Sequence, residues 1–404
     1  MLIKLAWRNI WRNRNRSLIT MSAVASAVLL SVVTVSLQKG VFDNLIKDMV
    51  SLYTGYVQVH AKGYWEEQTL DNSFEVNDSL DQMVQKTPGV VRMAHRLETF
   101  ALASSGEKTR ACLVVGIDPA AEDSLTRLTP KIQSGAMLTR DGESALVAEG
   151  LAGKLGLDFN DTLVLLTQGY YGSTAAIKLP IKGLLRFGSP ELNERIVYLP
   201  LAVSQTWLDA PNRATSLVLG LENPRLMAQI EREIENKLSS QYEILNWKEM
   251  MPEISQHIET DTASTYIILG VLYLLISFGI FSTLLMMLAE RRREFGMLLA
   301  LGMHPPLIGR VVFLETIFLT LCGCLAGILL SWPIVWYLNI HPIEFGGDLA
   351  KTYEKFGFAP IFPTTLKASI FIEQAVIVGC MGFILALYPV WRVLRLKAVE
   401  SMKG

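Results

Sequence analysis

The sequence predicts an α-helical membrane protein with four transmembrane helices and a large α+β domain inserted between helices 1 and 2. Three observations carry this. Four uncharged or nearly uncharged stretches reach the length of about 20 apolar residues that a bilayer core requires: Leu18–Leu37, Tyr266–Ala289, Val311–Leu338 and Ala368–Trp391. The segment between the first two, residues 40–262, is polar and alternates strand-like with helix-like patterns. Lysine and arginine cluster at three places next to the apolar stretches.

Half of the 404 residues are hydrophobic, mean hydropathy is +0.32 and 19% are charged. That is too apolar for a soluble chain of this length and too polar for one lying wholly in lipid, so the distribution matters more than the mean. The net charge of -1 gives no reason to expect nucleic acid as a partner. Of the four cysteines, Cys322, Cys324 and Cys380 sit in apolar stretches, and Cys112 alone falls in the polar middle. That leaves no disulfide framework there and no Cys/His metal spacing. The first apolar stretch exceeds a signal-peptide core of about 7–15 residues, and "ASA" at 25–27 lies inside it, so it reads as an uncleaved anchor.

Arg8, Arg12, Arg14 and Arg16 precede the first span, Arg291, Arg292, Arg293 and Arg310 lie between the second and third, and Arg392, Arg395 and Lys397 follow the fourth. Threading four spans in order puts all three groups on the cytoplasmic side, as the positive-inside rule requires, and both termini with them. The expected organisation is a cytoplasmic amphipathic helix over 1–16, first span and stalk over 17–52, outer domain over 53–246, and stalk with second span over 247–289. A cytoplasmic connection over 290–310, third span over 311–338, outer loop over 339–367, fourth span over 368–391 and tail over 392–404 complete it. In the first of these, Ile3, Trp7, Ile10 and Trp11 share one helical face and Lys4, Arg8 and Arg12 another, which suits a helix in the headgroup layer of membrane lipid.

In the outer segment, "TGYVQVHA" (54–61) alternates as a strand, "SLDQMVQKTPGV" is a helix stopped at Pro88, and strands follow near 90–104 and 109–117. "SALVAEGLAGKLGLDFNDTLVLLTQ" holds strand, helix, turn and strand, and "QGYYGSTAAIKLPIKGLL" closes a hairpin whose tip comprises Gln168, Gly169, Tyr170, Tyr171 and Gly172. "RIVYLPLAVSQTWL" and "TSLVLGLE" add strands, "PRLMAQIEREIENKLSS" an amphipathic helix and Tyr242–Leu245 a last strand. Interspersed strands and helices imply an α+β fold with its own core.

Catalytic chemistry is absent from the pattern. "SGEKTR" (105–110) lacks the Gly-Lys adjacency of a phosphate-binding loop, and no HExxH, GxSxG or dinucleotide fingerprint occurs. The five histidines are scattered and read as structural. Glu315 and Glu373 are the only acids inside the spans, each within a turn or two of a span end, and are expected to be structural. Gly323-x-x-x-Gly327 in the third span, with Ser22/Ser26 and Ala23/Ala27 in the first, offers close helix packing in lipid. Four spans are few for a transporter, so the unit is expected to work as a dimer.

The stretch "AERRREFGMLLALGMHPPLIG" remains. As a cytoplasmic connection it is a short helix, charged over Glu290, Arg291, Arg292, Arg293 and Glu294. Its second half presents Phe295, Leu298, Leu299 and Leu301 on an apolar side that no lipid or core covers. Gly302 closes the helix, and Pro305-Pro306 suit the first turn of the next. An exposed apolar knuckle implies a groove on a partner.

These residues resemble the signature of the FtsX/MacB-type ABC transporter permeases, Glu-x-x-x-Glu-x-Gly-x-x-x-Ala-x-Gly, on Glu290, Glu294, Gly296, Ala300 and Gly302, with Glu315 at the family's acidic position. "LYPVWRVLRLKAVESMKG", with Pro389, Arg392 and Val399-Glu400, is similar to the family's closing pattern, and "RNIWRNRNRSLIT" to its N-terminus. "TGYVQVHAKGY" resembles the lipoprotein-releasing branch, LolC and LolE. The resemblance implies a non-catalytic permease that binds no cofactor itself, with ATP and Mg used by a separate ABC-type ATPase present in two copies. It further implies a second permease, identical or not, and coupling through residues 290–302 to a periplasmic domain in the bacterial inner membrane. Lipoprotein, or a periplasmic carrier or adaptor, would be handled by that domain, with the Gln168–Thr174 tip as the candidate contact. A MacB-like efflux permease or an FtsX-like signalling device acting on a cell-wall hydrolase are the alternatives it leaves.

Overall fold

The computed structural model describes residues 2–12, 14–188, 190–344, 346–348 and 361–395. Val399 and Glu400 of the closing pattern, with Lys397, lie outside the described residues. The chain divides into two units, one of Met1–Asn44, His257–Glu344 and Ile361–Gly404, the other of Leu45–Gln256 and Phe345–Pro360.

The first unit is helical. Its helices are α1 (Leu2–Arg12), α2 (Arg14–Met49), α3 (Pro252–Glu290), α4 (Arg292–Ala300), α5 (Pro305–Ile340) and α6 (Ala368–Leu394), of which α2 and α3 run on into the second unit's residues. Four of them, α2, α3, α5 and α6, are long and apolar enough to cross a membrane. Each exceeds the length of its apolar stretch, because a helix once nucleated continues through polar residues that carry no breaker. α5 starts where His304 is extended and Pro305-Pro306 fill the first turn, positions whose missing N–H groups cost nothing.

Helix packing turns on glycine. A Cβ at Gly323 would lie 2.6 Å from Val24 Cβ and 3.0 Å from the Met21 carbonyl oxygen, and one at Gly327 would lie 2.6 Å from Val28 Cβ and 2.8 Å from the Ala25 carbonyl oxygen. The backbones of α5 and α2 therefore approach as only hydrogen at those positions permits. The valines Val24 and Val28 meet the glycines, whereas Ser22 and Ser26 are exposed. Of the small residues of α2, the serines are thus off the contact while Ala27 is buried in the same cluster as Val24 and Val28, and the ridge of one helix fills the notch of the other. Gly382 performs the same service between α6 and Thr320 of α5. α3 buries Leu269, Ile280, Leu284 and Met287 and leaves Ile267, Val271, Leu274 and Phe278 exposed. Thr364 and Thr365, just ahead of α6, are pinned within this unit by Ser36 Oγ donating to the Thr365 carbonyl (2.7 Å) and Thr364 Oγ1 to the Val335 carbonyl (2.9 Å).

The second unit is built on a 10-stranded sheet. Its strands, with two short ones off the sheet, are β1 (Val57–Ala61), β2 (Phe74–Glu75), β3 (Val90–Ser105), β4 (Lys108–Ile117), β5 (Ile132–Gly135), β6 (Ala145–Ala148), β7 (Thr162–Gln168), β8 (Thr174–Leu185), β9 (Ile196–Pro200), β10 (Arg213–Ala214), β11 (Ser216–Leu221) and β12 (Tyr242–Asn246). The order is β12-β1-β11-β3-β4-β9-β6-β8-β5, with β7 pairing β3 and β8, and β2 pairs β10 separately. β4–β9 and β6–β8 are parallel and the other pairs antiparallel. Alternation sets the faces: Leu97, Ala101 and Ala103 of β3 enter a core with Val114, Leu146 and Tyr198, while Phe100 and Leu102 stay exposed. The strand expected from residue 54 starts at Val57, because Val50–Thr54 form a π-helical turn at the end of α2.

Caps explain the helix starts. Asn77 accepts from the Ser79 N–H ahead of Asp78–Gln85, and Asp118 accepts from Ala120 and Ala121 ahead of Pro119–Thr126. Asn246 and Glu249 form a capping box at Trp247–Met250.

Candidate coupling site

α3 ends at Glu290, and Arg291 steps out of helical geometry (φ -92°, ψ 3°) before α4 begins. This one-residue break turns the Arg291 side chain inward, and it is 5% exposed. Its Nη1 donates to Glu315 Oε2 at 2.6 Å and its Nε to Glu294 Oε2 at 3.3 Å, and the guanidinium lies 5.1 Å from the Phe295 ring centre. Arg12 of α1 donates to the same Glu294 Oε2 at 3.0 Å. One arginine thus joins α4 to α5, and one glutamate joins both to α1. Trp7 adds an edge contact with Phe318 of α5, ring centres 6.0 Å apart.

Glu315, although within a turn or two of the end of its apolar stretch, is 2% exposed. A carboxylate in an apolar span needs a cation, and the four apolar stretches themselves hold no lysine or arginine; Arg291 is delivered by the break that precedes α4. Glu373, by contrast, is exposed and faces Lys39 at 3.5 Å.

Phe295 is likewise corrected. It is 3% exposed, packed with Ile308, Val312 and Val393, with Leu298 and Leu299 partly buried against the same cluster. α5 and α6 supply the core that the sequence did not reveal. The part of α4 and its C-cap that stays outside is narrower: Arg292, Arg293, Met297 and Ala300, with the cap residue Leu301 84% exposed. Gly296 is buried, and Glu290 is exposed. Gly302 ends the helix at φ +92°, a left-handed conformation that glycine adopts without strain, with Gly302 N–H bonded to Leu299 O and Met303 N–H to Leu298 O.

The β7–β8 tip is tied down. Tyr170 N–H donates to the Leu208 carbonyl at 2.8 Å, and the Arg213 guanidinium stacks 4.3 Å from the Tyr170 ring centre. Gly169 is buried, Gly172 takes φ +78°, and Gln168 Nε2 donates to the Gly172 carbonyl at 3.4 Å. Tyr171, 76% exposed, is the ring of this tip that faces outward.

One cluster had no signal in the sequence. Arg96 and Glu122, both fully buried, form a two-point ion pair (2.9 and 2.7 Å), with Glu98 and Tyr53 beside them. The guanidinium in β3 and the carboxylate in Pro119–Thr126 come together only through the packing of that helix on the sheet. Among the described residues, no group of His, Cys, Asp and Glu could hold a metal ion.

Comparison with known proteins accords with this layout. The model of the MacB-like periplasmic core domain matches residues 17–237, and that of the FtsX-like permease C-terminal domain matches residues 266–398. The lipoprotein-releasing system transmembrane protein LolC of Xylella fastidiosa is 22% identical over 410 residues, covering 97% of this chain and 95% of that protein. LolE of Haemophilus influenzae is 22% identical over 337 residues, 81% of this chain and 80% of that protein. The periplasmic region of MacB from Actinobacillus actinomycetemcomitans aligns with a TM-score of 0.37 at 12% identity, over 53% of this chain and 97% of that one. With one family model covering more than half of its length and a second covering the last three spans, this chain belongs to the FtsX/MacB-type family of ABC transporter permeases.

Proposed function

We propose that this chain is the non-catalytic permease subunit of an ATP-driven lipoprotein-releasing machine in the bacterial inner membrane. Two relatives named for lipoprotein release, aligned over 97% and 81% of this chain, support the cargo class. The observation that carries the coupling is the inward-turned Arg291, which binds α4 to α5 and leaves Met297 and Leu301 outside. In this reading a separate ABC-type ATPase, two copies per complex, holds ATP and Mg and receives the exposed half of α4 in a groove. A push on α4 passes to α5 through Arg291–Glu315 and to α1 through Glu294–Arg12. Removing one partner of the buried Arg291–Glu315 pair costs about 3–5 kcal/mol, so α4 and α5 move as one piece, whereas the half-exposed Glu294–Arg12 pair holds α1 by only about 0–1 kcal/mol. α2 runs unbroken to Met49 and α3 begins at Pro252, so both chain connections to the outer domain start as helix. A second permease completes the dimer, with a periplasmic carrier or adaptor as the acceptor.

The test is ATP turnover and release of an acylated protein by the permease–ATPase complex in nanodiscs. Met297→Asp and Leu301→Asp should cut permease-dependent turnover and release about tenfold or more, an interface anchor being worth upwards of ~1.4 kcal/mol. Because both side chains are exposed, the melting temperature of the permease should stay put. Turnover indifferent to both changes would remove α4 from the coupling. Release of a peptide or small molecule instead of an acylated protein would move the chain to the efflux branch, and activation of a cell-wall hydrolase without cargo to the signalling branch.

A further inference from the structure

The N-terminal helix α1 carries a surface that the coupling site does not use. Its Ala6, Asn9 and Ile10 are buried. Trp7 meets Phe318 of α5 edge-on, and Ser17 Oγ, near the start of α2, donates to the Ile10 carbonyl at 2.9 Å. These contacts fix the rotation of α1, and the rest of it faces outward as two stripes. Ile3, Trp7 and Trp11 form one and Lys4, Arg8 and Arg12 the next, each recurring every four residues, and all six are exposed.

The charge of this surface is one-sided. Residues 1–42 contain no Asp or Glu. Arg12 is paired, with Glu294 of α4 at 3.0 Å. Lys4 and Arg8 have no carboxylate partner among the described residues, nor has Arg14, the exposed first residue of α2. The level of the tryptophans is equally definite. Phe318 belongs to the apolar stretch Val311–Leu338 of α5 and lies about 10 Å of helix rise beyond Val311, at 1.5 Å per residue. Trp7 reaches it, so the tryptophan stripe lies beside residues made for lipid. The cations stand one stripe away, on stems long enough to reach the headgroups.

We propose that α1 is a binding surface selective for anionic phospholipid, the Ile3–Trp7–Trp11 stripe entering the acyl boundary while Lys4, Arg8 and Arg14 hold negatively charged headgroups. A headgroup layer of any composition accepts tryptophans; it is the unpaired cations that call for net negative charge in the lipid. An acidic protein surface would answer the cations but leave the tryptophans, level with Phe318, without an apolar partner. Each cation near the surface favours anionic over zwitterionic lipid about fivefold, ~1 kcal/mol. The inference uses α1, α2 and α5 alone and holds whether or not α4 engages an ATPase.

The experiment uses the full chain in nanodiscs of phosphatidylcholine containing a minor share of phosphatidylglycerol. Benzoylphenylalanine replaces Trp11, which borders both stripes, or, as a control, Trp336, exposed nearer the other end of α5. After illumination the lipid adducts are identified by mass. At position 11 the phosphatidylglycerol adduct should exceed that lipid's share of the bilayer about fivefold or more, the worth of one such cation. At position 336 it should match its share. The combined Lys4→Gln, Arg8→Gln and Arg14→Gln variant, altered only at exposed positions, should bring position 11 down to the bilayer ratio. Salt at about 1 M, where the Debye length is ~3 Å, should lower the enrichment in the unaltered chain. Adducts at position 11 in the bilayer ratio, or enrichment that survives the triple substitution, overturn the selectivity. In cells, an adduct at position 11 with a peptide of another protein in place of phospholipid overturns the choice of occupant.

Discussion

At the scale of single residues, His60 shows how burial becomes pH dependence. Its Nδ1 lies 2.9 Å from the Thr215 carbonyl and its ring stacks on Tyr64, 5.0 Å between centres. Burial lowers its pKa from the ordinary 6.5 to about 4, the Thr215 bond opposing weakly. The unfolded chain takes up this proton near pH 6.5 and the folded one only near 4. The contribution to stability is therefore whole above 6.5 and lost as pH falls across that window, by about 3 kcal/mol in total. Hydrogen exchange of the β1 and β11 amides should speed up between pH 6.5 and 4, after correction for intrinsic rates. The acceleration should be clearly smaller in His60→Gln, and equal pH dependence in both proteins would deny His60 the role. Arg291 illustrates the opposite case, a charge kept inside because Glu315 and Glu294 meet it.

Among elements, the α2–α5 contact is the most exacting. Gly323 and Gly327 each leave no room for a methyl group against Val24 and Val28. Gly327→Leu should separate the helices and lower the permease's stability by about 1–3 kcal/mol, the usual cost of overpacking. Gly379→Leu, at a position of α6 with nothing within 4 Å of an added Cβ, should leave it unchanged. Thermal melts in nanodiscs distinguish the two, and equal melts would mean that these helices pack elsewhere. β3 is the corresponding element of the second unit, pairing with β11, β4 and β7 along its 16 residues while one face makes core and the other carries Glu98 and Phe100.

For the whole molecule, orientation is the property on which the proposed function stands. The arginines of 291–293 and the basic N-terminal helix predict a cytoplasmic α4 and an outer second unit. In spheroplasts, a cysteine replacing Tyr171 should react with an impermeant maleimide at once, and one replacing Leu301 only after permeabilisation. The reverse pattern would put α4 beyond the reach of any cytoplasmic ATPase.

The number of spans, the position of the inserted domain, most of its strands and the short helix after residue 290 were legible in the sequence. Each follows from a local pattern: apolar length, two-residue alternation, caps and breakers. Family membership was legible too, because Glu290, Glu294, Gly296, Ala300 and Gly302 recur at fixed spacing within one segment. Tertiary structure alone decided that Phe295 is core, that Glu315 is sealed by Arg291, that valines fill the glycine notches and that Arg96 meets Glu122. These are matters of which surfaces face each other across 24 to more than 280 residues of chain, as in Arg291–Glu315 and Arg12–Glu294. Periodicity gives a helix or strand its apolar side but not the neighbour that covers it, and burial and charge pairing are set by that neighbour.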